Sequence, residues 1–362
     1  MPLSFQDLST LPSLWESLAR ETRDIWLYGM GNGADKILAV LDKREITVKG
    51  VFASDGFVRG QVFHGMPVRS FSEVKALYPK NGCVILLSFG TSRPEVLAAI
   101  ENVATHFPLF IPDVPVCGDT LFDTAFFLAN QEKFAAARAL LADDVSRSIF
   151  DLTIAYKLTG RYDYLMAATD DEAREAALID PRTVYGMADF GAYTGDTARA
   201  MLAVAPVRYI CAVEPDRRTF KKLSAFAATV QDCTVEAHRA ALFDTVGEAP
   251  FDASGNRNSG LCTGRESQAE AVPTTTADTL LKDKTVDYVK YDVEGAEAKA
   301  LLGTKETIKA QRPRLKIACY HRSEDLFALP LLLKELAPHY AFYLTRRPSV
   351  PEWDLDILAL PI

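Results

Sequence analysis

The sequence predicts an α/β protein in which two doubly wound parallel sheets stand in tandem, joined by a helical connector. Two stretches of alternating strand and helix pattern flank one stretch of helix alone. Each alternating stretch opens on a glycine turn that follows an apolar strand. Alternation predicts parallel strands with crossover helices on both faces, and ligands of such sheets bind beyond the carboxyl ends of the strands.

Each element follows from local pattern. Leu3, Phe5, Leu8, Leu11, Leu14 and Leu18 fall on roughly one side of one or two short amphipathic helices. Residues 24–28 (DIWLY) read as a buried strand stopped by Gly29-Met-Gly-Asn-Gly33, and helical period resumes from Ala34 to Leu41. Residues 48–52 and 66–68 are further strands, 72–78 a helix, 83–88 (CVILLS) a strand and 94–103 a helix. From about 121 to 177 only helical faces occur, carried by Phe122, Phe126, Phe134, Ile149 and Tyr156 among others. That pattern is too ordered for a flexible linker and predicts a connector packed on one or both neighbours. Alternation then resumes, with strands ending near Phe190, Val213, Ala237, Tyr291 and Tyr320. Helices are expected at 196–204, 217–228, 296–310 and 326–336, and a hairpin of 340–345 with 355–360 closes the sheet. The expected division is 1–118 for the first domain, 119–178 for the connector and 179–362 for a domain of about seven strands.

Composition bounds the function. The 362 residues are 48% hydrophobic and 24% charged, enough apolar material for real cores in about two domains. Lys and Arg number 40 against 48 Asp and Glu, and the resulting charge of −8 argues against a basic nucleic-acid or membrane-surface coat. No apolar run approaches the roughly 20 residues of a bilayer span. The first residues lack the basic-then-apolar layout of a secretory signal. Cys83, Cys117, Cys211, Cys233, Cys262 and Cys319 are scattered without a CxxC pair and read as thiols of a reducing compartment. The expectation is a cytoplasmic protein without nucleic-acid partner or membrane span. It would take a small-molecule or glycan substrate, with a homo-oligomer left open.

The most informative segment is the turn ADFGAYTGDT at 188–197. Asp189 ends a strand, glycines follow two and six positions later, and a helix starts at Asp196. Gly191 lets the backbone pass close to a ligand and Gly195 permits a sharp turn. Asp189, Gly191, Ala192, Tyr193, Thr194, Gly195 and Asp196 are therefore candidate cofactor-binding residues, with Asp189 placed to accept a hydrogen bond from a ligand amine. Glu214, followed by Pro215, ends the next strand 19 residues past Gly195. A carboxylate there takes the ribose hydroxyls of a nucleoside, or else caps the following helix. A pyrophosphate wants clustered N–H groups and no carboxylate nearby. S-adenosyl-L-methionine carries an amine and a sulfonium and prefers acidic surroundings, so the chemistry favours it over NAD.

A second cluster lies at 286–297. There VDYVKYDVEGAE puts Asp292, Glu294 and Glu297 at the carboxyl end of a strand, and His321 ends the next one. Asp292 or His321 is the candidate catalytic base. His321 has the more suitable ordinary pKa, whereas a carboxylate needs help from burial or a metal. Glu294 and Glu297 read first as acids complementing a helix N-terminus. The other reading has Asp292 and Glu294 holding Mg²⁺. The polar loop 251–272, with Asn256, Arg257, Asn258, Ser259 and Arg265, either recognises an acceptor or is plain surface.

Together these pieces resemble the FkbM family of SAM-dependent methyltransferases. The matching segments are DFGAYTGDT, the VEP strand end at 213–215, VPTTTADTLL at 272–281, VDYVKYDVEGAEAKALLG at 286–303 and RPRLKIACYH at 312–321. Ala277 departs from the leucine usual in the family. The resemblance covers roughly residues 150–362 and implies a Rossmann-like, seven-stranded class I methyltransferase fold. It also implies methyl transfer to a hydroxyl of a sugar, glycan or related small molecule. By the same resemblance Asp189, Gly191 and Gly195 hold the methionine part and Glu214 the ribose. Arg239 and Ala240 would lie near the adenine, and Asp292 would face the transferred methyl.

The first glycine turn fits GxGxxG/A at Gly29, Gly31, Gly33 and Ala34, with Asp55 standing 22 residues past Gly33. It reads as a second site, for a nucleotide or sugar-nucleotide in a Rossmann-like accessory domain, with the turn Ser88-Phe-Gly90-Thr91-Ser92 completing the crevice. The bland reading is a scaffold without ligand. Two rival functions stay open: an NAD-dependent oxidoreductase or sugar-nucleotide-binding protein acting through this turn, and a non-catalytic SAM-binding protein.

Overall fold

The computed structural model describes residues 4–251 and 270–362, so Asn256, Arg257, Asn258, Ser259 and Arg265 lie outside the described residues. The first alternating stretch forms a six-stranded sheet. Its strands are β1 (Asp24–Tyr28), β2 (Gly50–Ala53), β3 (Val62–Phe63), β4 (Met66–Ser70), β5 (Cys83–Leu87) and β6 (Leu109–Phe110). They stand in the order β3-β4-β2-β1-β5-β6, all parallel except the β3–β4 hairpin. Strand β5 is buried at every residue, which is why it reads as an unbroken apolar run. Helix α1 (Leu14–Ala19) precedes the sheet, and α2 (Asn32–Lys43), α3 (Phe71–Leu77) and α4 (Pro94–His106) connect its strands. A capping box starts α3: the Ser70 hydroxyl accepts from the Glu73 N–H at 3.2 Å and the Glu73 carboxylate accepts from the Ser70 N–H at 2.7 Å.

The connector comprises α5 (Thr124–Ala129), α6 (Gln131–Ala139), α7 (Asp144–Thr159), α8 (Tyr162–Ala167) and α9 (Glu172–Ile179). Asp123 and Asp143 cap α5 and α7 by accepting from the N–H groups of Phe126 and Ser146, and Gly160 ends α7 in the left-handed region. Helix α7 packs both ways. Ile149, Phe150, Ile154 and Leu158 join the core over the second sheet, while Tyr156 joins a core of the first. Phe134 of α6 is fully buried among Phe122, Phe127, Phe150 and Phe327, its ring centre 4.8 Å from that of Phe327. Phe134→Ala should therefore cost about 3–5 kcal/mol of stability in urea unfolding. A loss under about 1 kcal/mol would mean that the aromatic cluster contributes little cohesion.

The second alternating stretch contains β7 (Gly186–Phe190), α10 (Asp196–Val204), β8 (Tyr209–Val213), α11 (Arg217–Ala227) and β9 (Thr234–His238). Then follow β10 (Ala241–Leu242), β11 (Gly247–Phe251), β12 (Glu270–Thr275), α12 (Ala277–Leu280) and β13 (Tyr288–Tyr291). The last elements are α13 (Glu297–Leu302), α14 (Lys305–Gln311), β14 (Arg314–Ala318), α15 (Asp325–Leu336), β15 (Tyr340–Arg346) and β16 (Leu355–Pro361). Seven strands pair in the order β15-β16-β14-β13-β7-β8-β9, with β16 antiparallel to both its neighbours. The expected seven-stranded sheet with a closing hairpin is present.

Two features differ from expectation. The helix expected over 296–310 splits into α13 and α14 at Gly303, where the backbone lies so close to Phe243 that a Cβ would stand 2.1 Å from its carbonyl oxygen. A small sheet, β10-β12-β11, also stands outside the main one. Its strands carry Pro250 and Pro273 and lack apolar alternation, so nothing in their pattern announced them. Among the described residues, no helix is long and apolar enough to cross a membrane.

Candidate active site

The segments following β7, β8 and β13 line one cavity of about 220 Å³. Asp189, near the end of β7, is wholly buried, and neither of its carboxylate oxygens has a hydrogen-bond partner. Burial pushes this carboxyl up to about 6, partly offset by Lys290, whose Nζ lies 3.7 Å away. An unpartnered buried carboxylate is costly unless something else completes its hydrogen bonding.

Gly191 has φ +80°, and a Cβ there would stand 1.8 Å from the carbonyl oxygen of Asp292. Only glycine lets the ends of β7 and β13 approach this closely. Gly195, at φ +83°, starts α10, and a Cβ would meet the Phe226 ring at 2.4 Å. Its role is helix packing. Gly191, Tyr193 and Asp196 line the cavity, whereas Ala192, Thr194 and Gly195 shape the turn behind it.

Glu214 lines the cavity with Pro215. Its carboxylate accepts from the N–H groups of Tyr193 and Asp216, both at 2.9 Å, and so ties the β7 and β8 turns together. The alternative reading of Glu214 as helix cap fails. Asp216 caps α11 instead, accepting from Arg218 and Thr219 N–H at 2.8 and 2.9 Å. Ala240, Ala241 and Leu242 add an apolar wall, and Arg239 lies outside the lining.

Beyond β13, Asp292 sits 3.3 Å from Lys290 Nζ and accepts from the Tyr320 hydroxyl at 3.2 Å. Burial would raise its carboxyl, but Lys290 and His321 outweigh that and hold it below the usual range. His321 is wholly buried beneath the cavity. Its Nδ1 lies 2.9 Å from Glu297, and its Nε2 lies 3.4 Å from Glu294 and 3.6 Å from Asp292. Burial alone would lower this imidazole, yet the three carboxylates raise it well above its ordinary value. His321, the expected candidate base, is thus enclosed by three acids. That shift favours the protonated ring, which pairs with these acids in preference to taking a further proton.

Glu297 accepts from the N–H groups of Val293 and Gly295 at 2.9 and 3.3 Å, so it closes the loop instead of merely facing a helix dipole. Glu294 is the strained member. It sits at φ 54°, a left-handed conformation costly for a non-glycine residue. Its side chain is 27% exposed and lines the cavity. Burial pushes its carboxyl up to about 8, with Asp292 and Glu297 adding to the shift and His321 opposing it.

Asp292 and Glu294 converge on the His321 imidazole, which stands where the Mg²⁺ reading placed a metal. Among the described residues, no group of three His, Cys, Asp or Glu side chains is arranged to hold a metal ion.

The first glycine turn meets a different fate. Asp55 accepts from the Ser72 N–H at 2.9 Å and the Ser72 hydroxyl at 2.5 Å, so the expected ribose acid fixes the start of α3. Cβ atoms at Gly29 and Gly33 would meet Phe89 at 2.5 Å and the Ser88 carbonyl at 2.4 Å, so these glycines serve strand–helix packing. Gly90, Thr91 and Ser92, expected to complete a crevice in the first domain, instead line the cavity of the second. Val116, Trp353 and Asp354 join them there. Sequence reasoning missed these residues because they come from distant segments without a motif.

An order with one antiparallel strand between β14 and β15, and acids at successive strand ends, defines the class: a Rossmann-like methyltransferase domain. Residues 189–343 match the family model described as the methyltransferase FkbM domain, and the chain carries that domain. The fold is similar over the whole chain to the crystal structure of methyltransferase FkbM from Methylobacillus flagellatus KT. That likeness covers 98% of each chain at 18% identity and a TM-score of 0.73. The precorrin-6y C5,15-methyltransferase of Geobacter metallireducens GS-15 aligns over 54% of this chain and 93% of its own, at 12% identity and a TM-score of 0.35. No curated protein matches the chain.

Proposed function

We propose that this methyltransferase moves a methyl group from S-adenosylmethionine, the donor its family implies, to a hydroxyl of a sugar, glycan or related small molecule. The observation that carries the reading is Asp189, wholly buried just behind the cavity lining beside the Gly191 turn, with neither oxygen hydrogen-bonded and Lys290 3.7 Å away. The residues fit the donor. Asp189 would accept from its amine, Gly191 would admit its methionine part, Glu214 would take its ribose hydroxyls, and Ala240 to Leu242 would wall its base.

When bound, S-adenosylmethionine supplies a methyl on a sulfonium sulfur that is open to attack by oxygen. The chain's task is to hold the acceptor oxygen in line and remove its proton. Glu294 Oε receives that proton, because its raised carboxyl lies near working pH and it reaches the cavity. Asp292 stays ionised beside Lys290 and orients the acceptor. His321, paired with Glu297, holds both acids in place.

Calorimetric titration with S-adenosylhomocysteine, followed by transfer of labelled methyl to a panel of hydroxyl acceptors, tests the reading. Binding in the micromolar range and label in a hydroxyl acceptor are expected. Absence of S-adenosylhomocysteine binding would overturn it.

A further inference from the structure

We propose that one wall of the cavity is a subsite for the ring of a neutral sugar, built on the indole of Trp353. The proposal rests on the methyl-transfer reading above and narrows its acceptor. Trp353 lines the cavity and stays half-buried, unlike the core Trp15 and Trp26 at 1% and 3% exposure. Its indole lies against the backbone of Gly90, where a Cβ would stand 2.2, 2.6 and 2.8 Å from three ring atoms. The first domain thus supplies backbone against which the six-membered ring of this indole packs.

The segment carrying Trp353 is pinned from several sides. Thr91 and Val350 exchange N–H to carbonyl hydrogen bonds of 2.7 and 2.8 Å. Glu352 is buried in an ion pair with Lys157 of α7, whose Nζ also lies 3.2 Å from Asp113 at the edge of the first sheet. The Arg346 guanidinium donates to the Ser349 carbonyl, and the Ser349 hydroxyl donates to the Pro351 and Trp353 carbonyls. First domain, connector and second domain all meet in this frame. A platform held this way is ordered before any ligand arrives, which lowers the entropy cost of binding.

The chemistry of the wall selects the ligand. A flat apolar indole face suits the C–H face of a pyranose, and neighbouring carboxylates accept from its hydroxyls. Among the described residues, the cavity lining holds six carboxyl groups, Asp196, Glu214, Asp216, Asp292, Glu294 and Asp354, against the ammonium of Lys290. That lysine already stands between Asp189 and Asp292. Even with Glu294 protonated, the acidic balance of these described groups disfavours an anionic acceptor such as a phosphorylated sugar, so the subsite takes a neutral ring.

The test is saturation-transfer NMR on the full chain loaded with S-adenosylhomocysteine. The probes are methyl glycosides of glucose, mannose and galactose, with the corresponding hexose 6-phosphates as the anionic arm. At least one neutral glycoside should bind, and more tightly than its phosphate. Trp353→Ala and Gly90→Ala should each weaken it about tenfold or more, the second by displacing the ring without removing it. Trp353→Phe should recover most of the binding. S-adenosylhomocysteine affinity should stay unchanged in all three variants, which shows that the fold and donor site survive. The subsite is overturned if the loaded protein binds no neutral glycoside, prefers the phosphates, or binds glycosides equally well in Trp353→Ala. Failure of S-adenosylhomocysteine to bind the unaltered chain would instead sink the methyl-transfer reading.

Discussion

Glu294→Gln should lower kcat by about 10²–10⁴-fold, the usual contribution of a positioned general base. Glutamine keeps the shape and can still hydrogen-bond, but it cannot take a proton. S-adenosylhomocysteine affinity in the variant should stay close to that of the unaltered chain. The sign of the pH dependence follows from the environment. Burial and two neighbouring acids raise the Glu294 carboxyl to about 8, so its ionised, proton-accepting form is scarce in acid and grows as pH rises. The rate should climb with pH and level off above about 8. Asp292 is held below the ordinary carboxylate range, and were it the base the rate would already be level near neutrality. A flat profile from pH 6 upward, with near-normal kcat in Glu294→Gln, would assign the proton to Asp292 instead.

Gly191→Ala should lower S-adenosylhomocysteine affinity by about a hundredfold or more. Two costs add. A non-glycine residue at φ +80° costs roughly 1–2 kcal/mol. The new methyl would also collide with the Asp292 carbonyl at 1.8 Å, and overpacking of this kind typically costs about 1–3 kcal/mol. Relief requires the ends of β7 and β13 to separate, which moves Asp189, Tyr193 and Asp292 at once. Titration calorimetry reads the effect, and circular dichroism on the same sample checks that the chain remains folded. A folded variant with unaltered affinity would remove the turn from the donor site.

Much of the architecture was legible because each signal was local. The apolar runs of β1, β5, β7 and β8, the glycine turns after β1 and β7, and the closing hairpin all depend on residues adjacent in the chain. The small sheet was not legible, since β11 and β12 carry prolines and owe their pairing to one another. Nor was the break at Gly303, where the distant Phe243 carbonyl comes close to the backbone.

The site divides in the same way. Asp189, Gly191 and Glu214 were readable as strand-end residues at defined spacing. The surroundings of His321 were not legible: Asp292, Glu294 and Glu297 of the segment after β13 enclose its buried ring and raise its pKa. Asp55 had the spacing of a ribose acid, but Ser72 of a helix start claims it.

The sequence alone determined the alternating pattern, the acids at the strand ends and the resemblance of 150–362 to a methyltransferase family, because spacing along one strand–turn–helix unit is set by backbone geometry. Tertiary structure decided which charges meet and what the first domain does. Ion pairing and desolvation depend on residues brought together across the chain, as Lys157 joins Asp113 to Glu352 and Gly90 meets Trp353. The domain read as a separate nucleotide binder is, by that packing, one wall of the methyltransferase cavity.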